Sequence, residues 1–236
     1  MILFYSNDIR DDQAWFGEEE ARHCVQVLRK KPGDALSFVD GRGNWYEGVI
    51  SETGKRHFVA EIQNIVAGAG KRDFYLHLAI APPKNMDRFE WFLEKATEIG
   101  VDEITPLTCE HSERSKIRMD RLEKILLSAM KQSLRAYLPK LNELTDFVPF
   151  IEDHFNEKNS LRFVAHCREQ DLPLLKDNCQ PAKNVCLLIG PEGDFSTMEI
   201  DLANQQGFKS ISLGNARLRT ETAGIVACHI VNLVNE

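Results

Sequence analysis

The stretch CLLIGPEGDFSTMEI, Cys186–Ile200, joins an apolar run to a glycine-containing turn and then to a segment of helical character. Buried strand, turn and helix in that order form the repeating unit of α/β proteins, whose ligands bind where the carboxyl ends of strands meet loops. The turn, Gly190-Pro191-Glu192-Gly193-Asp194, is acidic. It has neither the Gly-Lys-Ser/Thr of a P-loop nor the Gly-x-Gly-x-x-Gly of a dinucleotide site. Glu192 and Asp194 would repel a pyrophosphate, whereas a ligand with a positive centre is compatible with them. Alone, Gly190–Gly193 reads most simply as a strand-to-helix turn, with Pro191 fixing φ and the glycines free to take positive φ.

Outward from this turn the same rhythm recurs. FYLHLAI (74–80), DEITPL (102–107), LRFVAH (161–166), VCLLIG (185–190) and SISLG (210–214) have the length and composition of buried strands. Met86, Phe89, Leu93, Ala96 and Ile99 recur at helical spacing before Gly100, and Met119, Leu122, Leu126, Ala129 and Ser133 line a second helix. Thr220–Val234 closes the chain as a helix with apolar residues at Ala223, Val226, Ile230 and Leu233. This alternation predicts a mostly parallel sheet covered by helices on both faces. The first seventy residues differ. GEEEARHCVQVLRKKPGD (17–34) reads as a helix, acidic at its start and basic at its end. ALSFVDGRGNWYEGVIS reads as a hairpin turning at Asp40–Gly43, and HFVAEIQNI as a further strand. VAGAGKRD (66–73) is the best linker, which puts a β-rich domain at 1–70 and an α/β domain at 73–236.

With 43% hydrophobic and 28% charged residues, the composition is that of a soluble protein with a substantial core. No apolar run reaches membrane-spanning length, and MILFYSNDIRDD lacks the marks of a secretory signal. Six scattered cysteines without a Cys-x-x-Cys pair suit reduced thiols, a cytoplasmic location and no metal site. The net charge of −7 hides an uneven distribution. Residues 22–56 hold seven Lys/Arg against four Asp/Glu, residues 110–140 hold eight against four, and residues 141–201 hold five against twelve. Solvated helix faces account for such runs, and an RNA partner is also allowed.

Two further segments carry possible chemistry. SLGNARLRTETAG (212–224) sets Arg217 and Arg219 beside the ligand end of the sheet, where arginine binds phosphate or steadies an enolate-like oxygen. Thr220 and Thr222 are possible caps of the last helix, and Glu221 suits its positive end. CEHSERSKIRMDR (109–121) is a basic loop running into a helix, with Arg114, Lys116, Arg118 and Arg121 available for phosphates. Cys109 and His111 are metal-capable, but two ligands make no site.

Taken together, IGPEGDF, SLGNARLRTETA, KATEIGVDEITPL, SERS and KQSLRAYLP stand in the order and spacing of the RsmE family of ribosomal RNA small-subunit methyltransferases. HCVQVLRKKPGD and VDGRGNWYEGVI extend the resemblance to the N-terminal domain, so it covers almost the whole chain. The family usually has glycine where this chain has Asp194, and Pro-Arg-Ile where it has Asn215-Ala216-Arg217.

The resemblance implies a SPOUT-type α/β domain with a trefoil knot, a small PUA-like β-barrel in front of it, and a homodimer. It implies methylation of uridine N3 in 16S rRNA, with S-adenosylmethionine as donor, S-adenosylhomocysteine as product and no metal. By position, the cofactor would lie against His166, Ile189, Gly190, Glu192, Gly193, Leu213, Gly214, Leu218, Arg219 and Thr220. Arg219 is the expected catalytic cation and Glu221 the candidate base, while Arg29, Arg114, Lys116, Arg118 and Arg135 are the expected RNA contacts. Methylation of a ribose 2′-hydroxyl or another base, and a non-catalytic RNA-binding assembly factor on the same fold, are the competing readings.

Overall fold

The computed structural model describes residues 1–153 and 160–236. They fall into two units, one of Met1–Lys71 with Leu127–Leu138, the other of Arg72–Leu126 with Pro139–Glu236.

In the first unit, β1 (Leu3–Tyr5), β2 (Asp8–Arg10) and β3 (Gln13–Phe16) precede α1 (Glu18–Ala21), which runs on as a wider π-helical turn over Arg22–Val27. β4 (Ala35–Val39), β5 (Trp45–Thr53) and β6 (Phe58–Val66) follow. The six strands form one sheet in the order β1-β4-β5-β6-β3-β2, antiparallel except for β1 with β4. The expected hairpin is β4–β5, and the Asp40 carboxylate closes its turn by accepting from the backbone N–H groups of Arg42 (2.8 Å) and Asn44 (3.1 Å). Two register shifts bend β5 against β6. Gly48 sits at one of them, where a Cβ would lie 2.7 Å from the Glu61 carbonyl oxygen. The sheet thereby curls into a half-barrel around Phe4, Phe16, Phe38 and Phe58, with Phe16 stacked on Phe58 at 4.1 Å. Residues from later in the chain complete this unit. Met130 and Ala136 pack with Leu3 and Val39, Gly43 N–H donates to the Ala136 carbonyl, and Leu138 N–H donates to that of Gly41.

The second unit contains β7 (Leu76–Ile80), α2 (Met86–Ile99), β8 (Glu103–Thr108), the start of α3 (Met119–Gln132), β9 (Lys140–Leu141), β10 (Thr145–Asp146) and α4 (Phe147–Asp153). After these come β11 (Leu161–Ala165), α5 (Leu175–Asn178), β12 (Val185–Ile189), α6 (Thr197–Gln205), β13 (Lys209–Ile211) and α7 (Thr220–Val234). All pairings are parallel, in the order β10-β8-β7-β12-β11-β13, with β9 on β8. Five-residue apolar strands such as β7 and β12 are buried on both faces, as a parallel sheet requires. Ala79, Cys186 and Leu188 pack with Phe150 of α4 and with Ile200 and Ala203 of α6. The opposite face takes α7, which also lies along α2.

The last helix spans the predicted residues, but its buried stripe is Gly224, Ala227, Cys228 and Val231. The predicted Ala223, Val226 and Ile230 are half-buried and Leu233 is exposed, so this helix is apolar on two sides. At Gly224 a Cβ would lie 2.6 Å from the Phe92 ring and 2.9 Å from Ile80 Cδ1. Gly224→Ala should therefore destabilise the protein by about 1–3 kcal/mol in urea unfolding, because the fully buried Phe92 has nowhere to retreat.

At the amino end of β8 the Glu103 carboxylate accepts from Tyr75 (2.8 Å), Lys140 (2.8 Å) and Asn142 (2.7 Å). Burial alone would raise its pKa; the His77 charge and these hydrogen bonds outweigh burial and hold it at about 2. A depressed carboxyl stabilises the fold above the ordinary value of 4.5, and that stabilisation is lost as pH falls toward 2. Glu103→Gln should be less stable at neutral pH and should flatten the pH dependence of unfolding across that window.

Candidate active site

Because every strand of the second sheet runs the same way, the loops after β7, β8, β11, β12 and β13 all leave from one edge. The Ala81 N–H donates to the Ile189 carbonyl at 2.9 Å, carrying the β7–β12 pairing to the brink of the turn. One residue on, the Thr220 hydroxyl donates to the Gly190 carbonyl at 3.0 Å in a buried bond. The threonine expected as a possible cap does this instead. The N-cap of α7 is Arg219, whose side chain makes no capping bond. Thr220 thus sets the GPEG turn and the RTET segment side by side.

The turn itself is tight. Asp194 N–H donates to the Pro191 carbonyl at 2.9 Å, and a Cβ on Gly190 would lie 3.0 Å from the Phe195 nitrogen. Asp194 stands at φ 63°, in the left-handed region that glycine adopts freely and aspartate tolerates. Its carboxylate accepts from the N–H groups of Cys167 and Phe195, both at 2.8 Å. This residue, a glycine in the family pattern, therefore ties the loop after β11 to the loop after β12. His111 Nδ1 lies 2.8 Å from the Asp194 carbonyl oxygen, and a Cβ on Gly193 would come within 2.9 Å of the His111 Cβ. Arg168 Nε donates to the Phe195 carbonyl.

Glu192 is exposed, and one of its oxygens accepts from the Lys84 N–H at 3.0 Å. Lys84 pairs with Glu113 at 2.7 Å, and Arg114 donates to the Lys84 carbonyl at 2.5 Å. The acidic wall and the basic 109–121 loop are thus linked through the loop after β7.

His166 is 5% exposed, and among the described residues neither ring nitrogen has a hydrogen-bond partner. Burial pushes its pKa below the ordinary 6.5, against the Asp194 and Glu169 charges, so the ring is neutral at physiological pH. A buried neutral imidazole with two unmet nitrogens is a ready site for a polar ligand. Ser212 shares reciprocal 3.1 Å bonds with Gly214, which sits at φ 130° and faces open space. Leu213 and Leu218 are half-buried, while Arg217 and Arg219 are exposed. The Arg219 guanidinium has no hydrogen bond or ion pair among the described residues, whereas the buried Glu221 faces Arg88 Nε at 3.8 Å.

Of the basic residues expected to hold RNA, Arg114, Lys116 and Arg118 belong to this unit, and Arg118 pairs with Asp120 at 3.1 Å. Arg29, exposed at φ 56°, and Arg135 belong to the first unit. Among the described residues no group of three or more His, Cys, Asp or Glu side chains is arranged for a metal ion. Arg88, Arg168 and the bracing role of Asp194 escaped the sequence reading. Their partners lie far away in the chain, and only the Gly-Asp step of the turn left a local sign.

A family model for an RNA methyltransferase domain matches residues 71–232, and one for an RNA methyltransferase PUA domain matches residues 16–63. These matches define a two-part RNA methyltransferase, with a PUA domain before an α/β methyltransferase domain in the chain. The chain belongs to the ribosomal RNA small subunit methyltransferase E family. The relative from Synechocystis is 31% identical over 221 residues, covering 92% of this chain and 72% of its own. The Buchnera aphidicola relative is 28% identical over 232 residues, covering 95% and 90%. Among solved structures, a "probable rRNA-methyltransferase" from Porphyromonas gingivalis is 39% identical with a TM-score of 0.92, covering 100% of this chain and 98% of its own. A methyltransferase-like structure from Legionella pneumophila holding the cofactor SAM is 29% identical with a TM-score of 0.86, covering 99% and 98%.

Asp194→Gly should keep the turn's conformation and lose two hydrogen bonds, whereas Asp194→Ala loses both and adds left-handed strain. Denaturant unfolding should rank wild type above Gly and Gly above Ala, the last two separated by about 1 kcal/mol.

Proposed function

We propose that this protein methylates N3 of a uridine in 16S rRNA of the small ribosomal subunit, using S-adenosylmethionine. The observation that carries the reading is the buried Thr220–Gly190 bond, which sets an acidic turn beside an unpaired arginine and a buried glutamate. The residues present fit the cofactor. The turn offers carboxylate rather than a phosphate cradle, His166 offers two unmet ring nitrogens, and Gly214 leaves room for close backbone approach. His166, Ile189, Gly190, Glu192, Gly193, Leu213, Gly214, Leu218, Arg219 and Thr220 would hold it, chiefly through backbone groups. S-adenosylmethionine supplies the methyl group from its sulfonium and leaves as S-adenosylhomocysteine.

Uridine N3 carries a proton at neutral pH and attacks carbon only as that proton leaves. The free guanidinium of Arg219 favours the negative charge that then develops on O2 and O4. Glu221, faced by Arg88, receives the proton, and the N3 lone pair forms the new N–CH3 bond. The other task of these loops is alignment, since in-line displacement at a methyl group depends on geometry. Arg29, Arg114, Lys116, Arg118 and Arg135 hold RNA phosphates in this reading.

A homodimer is part of the proposal, supported by the half-buried second apolar side of α7 and by the exposed Trp91 and Leu233. A cytoplasmic location is also part of the proposal; no helix among the described residues is long and apolar enough to cross a membrane.

Nucleoside mass spectrometry of 16S rRNA or small subunits, incubated with enzyme and labelled cofactor, should reveal N3-methyluridine. A 2′-O-methyl or another methylated base would replace the proposed specificity, and cofactor binding without incorporation would replace the activity. Arg219→Ala should lower methyl transfer about 100-fold or more with the fold intact. Arg118→Ala should weaken RNA binding and reduce the salt slope by about one.

A further inference from the structure

On the sheet face opposite α7, a groove of about 730 Å³ opens between α4 and α6, lined by residues of Thr108–Glu110, Asp146–Pro149 and Ser196–Gln205. Its apolar side chains include Phe147 and Leu202, and its rim exposes Met198 (79%) and Val148 (47%). The polar part of the rim is acidic. Glu110, Asp146 and Asp201 are exposed and Glu199 is buried in the wall; among the described residues no lysine, arginine or histidine lines the groove. None of the four carboxylates forms an ion pair among the described residues. Glu199 is held by the N–H groups of Glu110 (2.9 Å) and Ser196 (2.8 Å), so its charge stays fixed behind the rim.

We propose that this groove is a docking site for a protein segment rich in lysine and arginine that carries an apolar anchor. The apolar lining supplies contact area, and an exposed methionine adapts to an irregular partner. The uncompensated carboxylates choose the sign of that partner and repel a phosphate backbone. The groove also lies across the sheet from α7, the helix that Arg219 caps. An enzyme acting on an RNA–protein particle would have separate contacts for its two components, although the docking itself does not depend on the methylation chemistry.

The test uses the full chain and a fluorescein-labelled helical peptide of lysine, arginine and leucine, read by anisotropy at physiological ionic strength. A glutamate–leucine peptide of the same pattern serves as control. Wild type should bind the basic peptide and not the acidic one. The double variant Met198→Lys/Asp201→Lys should lose at least about tenfold in affinity. Val148→Ser, which leaves charge unchanged, should weaken binding by less. Glu18→Lys/Glu19→Gln, an equal shift toward positive charge on the first unit, should bind as wild type does. Undiminished binding by the groove variant, or an equal loss in the control pair, overturns the proposal. It is also overturned if the groove variant sediments differently from wild type, which marks a surface between copies of this chain, or if it loses affinity for a single-stranded RNA oligonucleotide.

Discussion

The bond from the Thr220 hydroxyl to the Gly190 carbonyl fixes the start of the last helix against the end of a central strand. The groups proposed to act in the second unit are placed from that point. Arg219 is exposed because Thr220 is buried, and Glu221 reaches Arg88 because the first turn of α7 begins there. The helix can come so close only because Gly224, one turn further on, has no side chain to strike Phe92 and Ile80. A buried hydrogen bond of this kind adds little net stability, but leaving its donor and acceptor unmet would be expensive. It therefore specifies position more than it strengthens the fold.

Around that anchor the loops brace one another through backbone groups. Asp194 accepts from Cys167 and Phe195, Glu192 accepts from Lys84, and His111 meets the Asp194 carbonyl. Several polar side chains are thus committed to holding loop shape, whereas His166 and the Arg219 guanidinium have no partner among the described residues. In a site built for alignment this division makes sense. Rigid loops preserve geometry, and the few uncommitted groups are those a ligand must satisfy.

Much of this was legible in the sequence, for physical reasons that also explain what was not. Met86–Ile99 showed the helical period and a terminal glycine, and it is α2, with Gly100 at φ 126°. The buried strands were readable because a parallel sheet demands continuous apolar runs. The short β9, β10 and α4 left no such pattern, since two-residue strands and a seven-residue helix depend on tertiary contacts. On α7 the two apolar sides could not be ranked, because periodicity marks a face without saying what covers it. At the site, GPEG and RTET stood out, but their junction joins residues thirty positions apart. The sequence left open whether Asp194 meets a ligand or water, and its bracing role shows only in the φ angle and two backbone donors.

The N-terminal unit is closed by residues from the middle of the chain: Met130 and Ala136 fill its floor, and Lys131 pairs with Glu20. During synthesis the half-barrel therefore emerges long before its last wall exists. It waits, with Leu3 and Val39 uncovered, until Leu138 has left the ribosome and can reach Gly41. A piece cut at the linker near residue 71 would keep every strand of its sheet and still lack part of its interior. Transplanting this N-terminal module onto another enzyme would require carrying the 127–138 segment along with it.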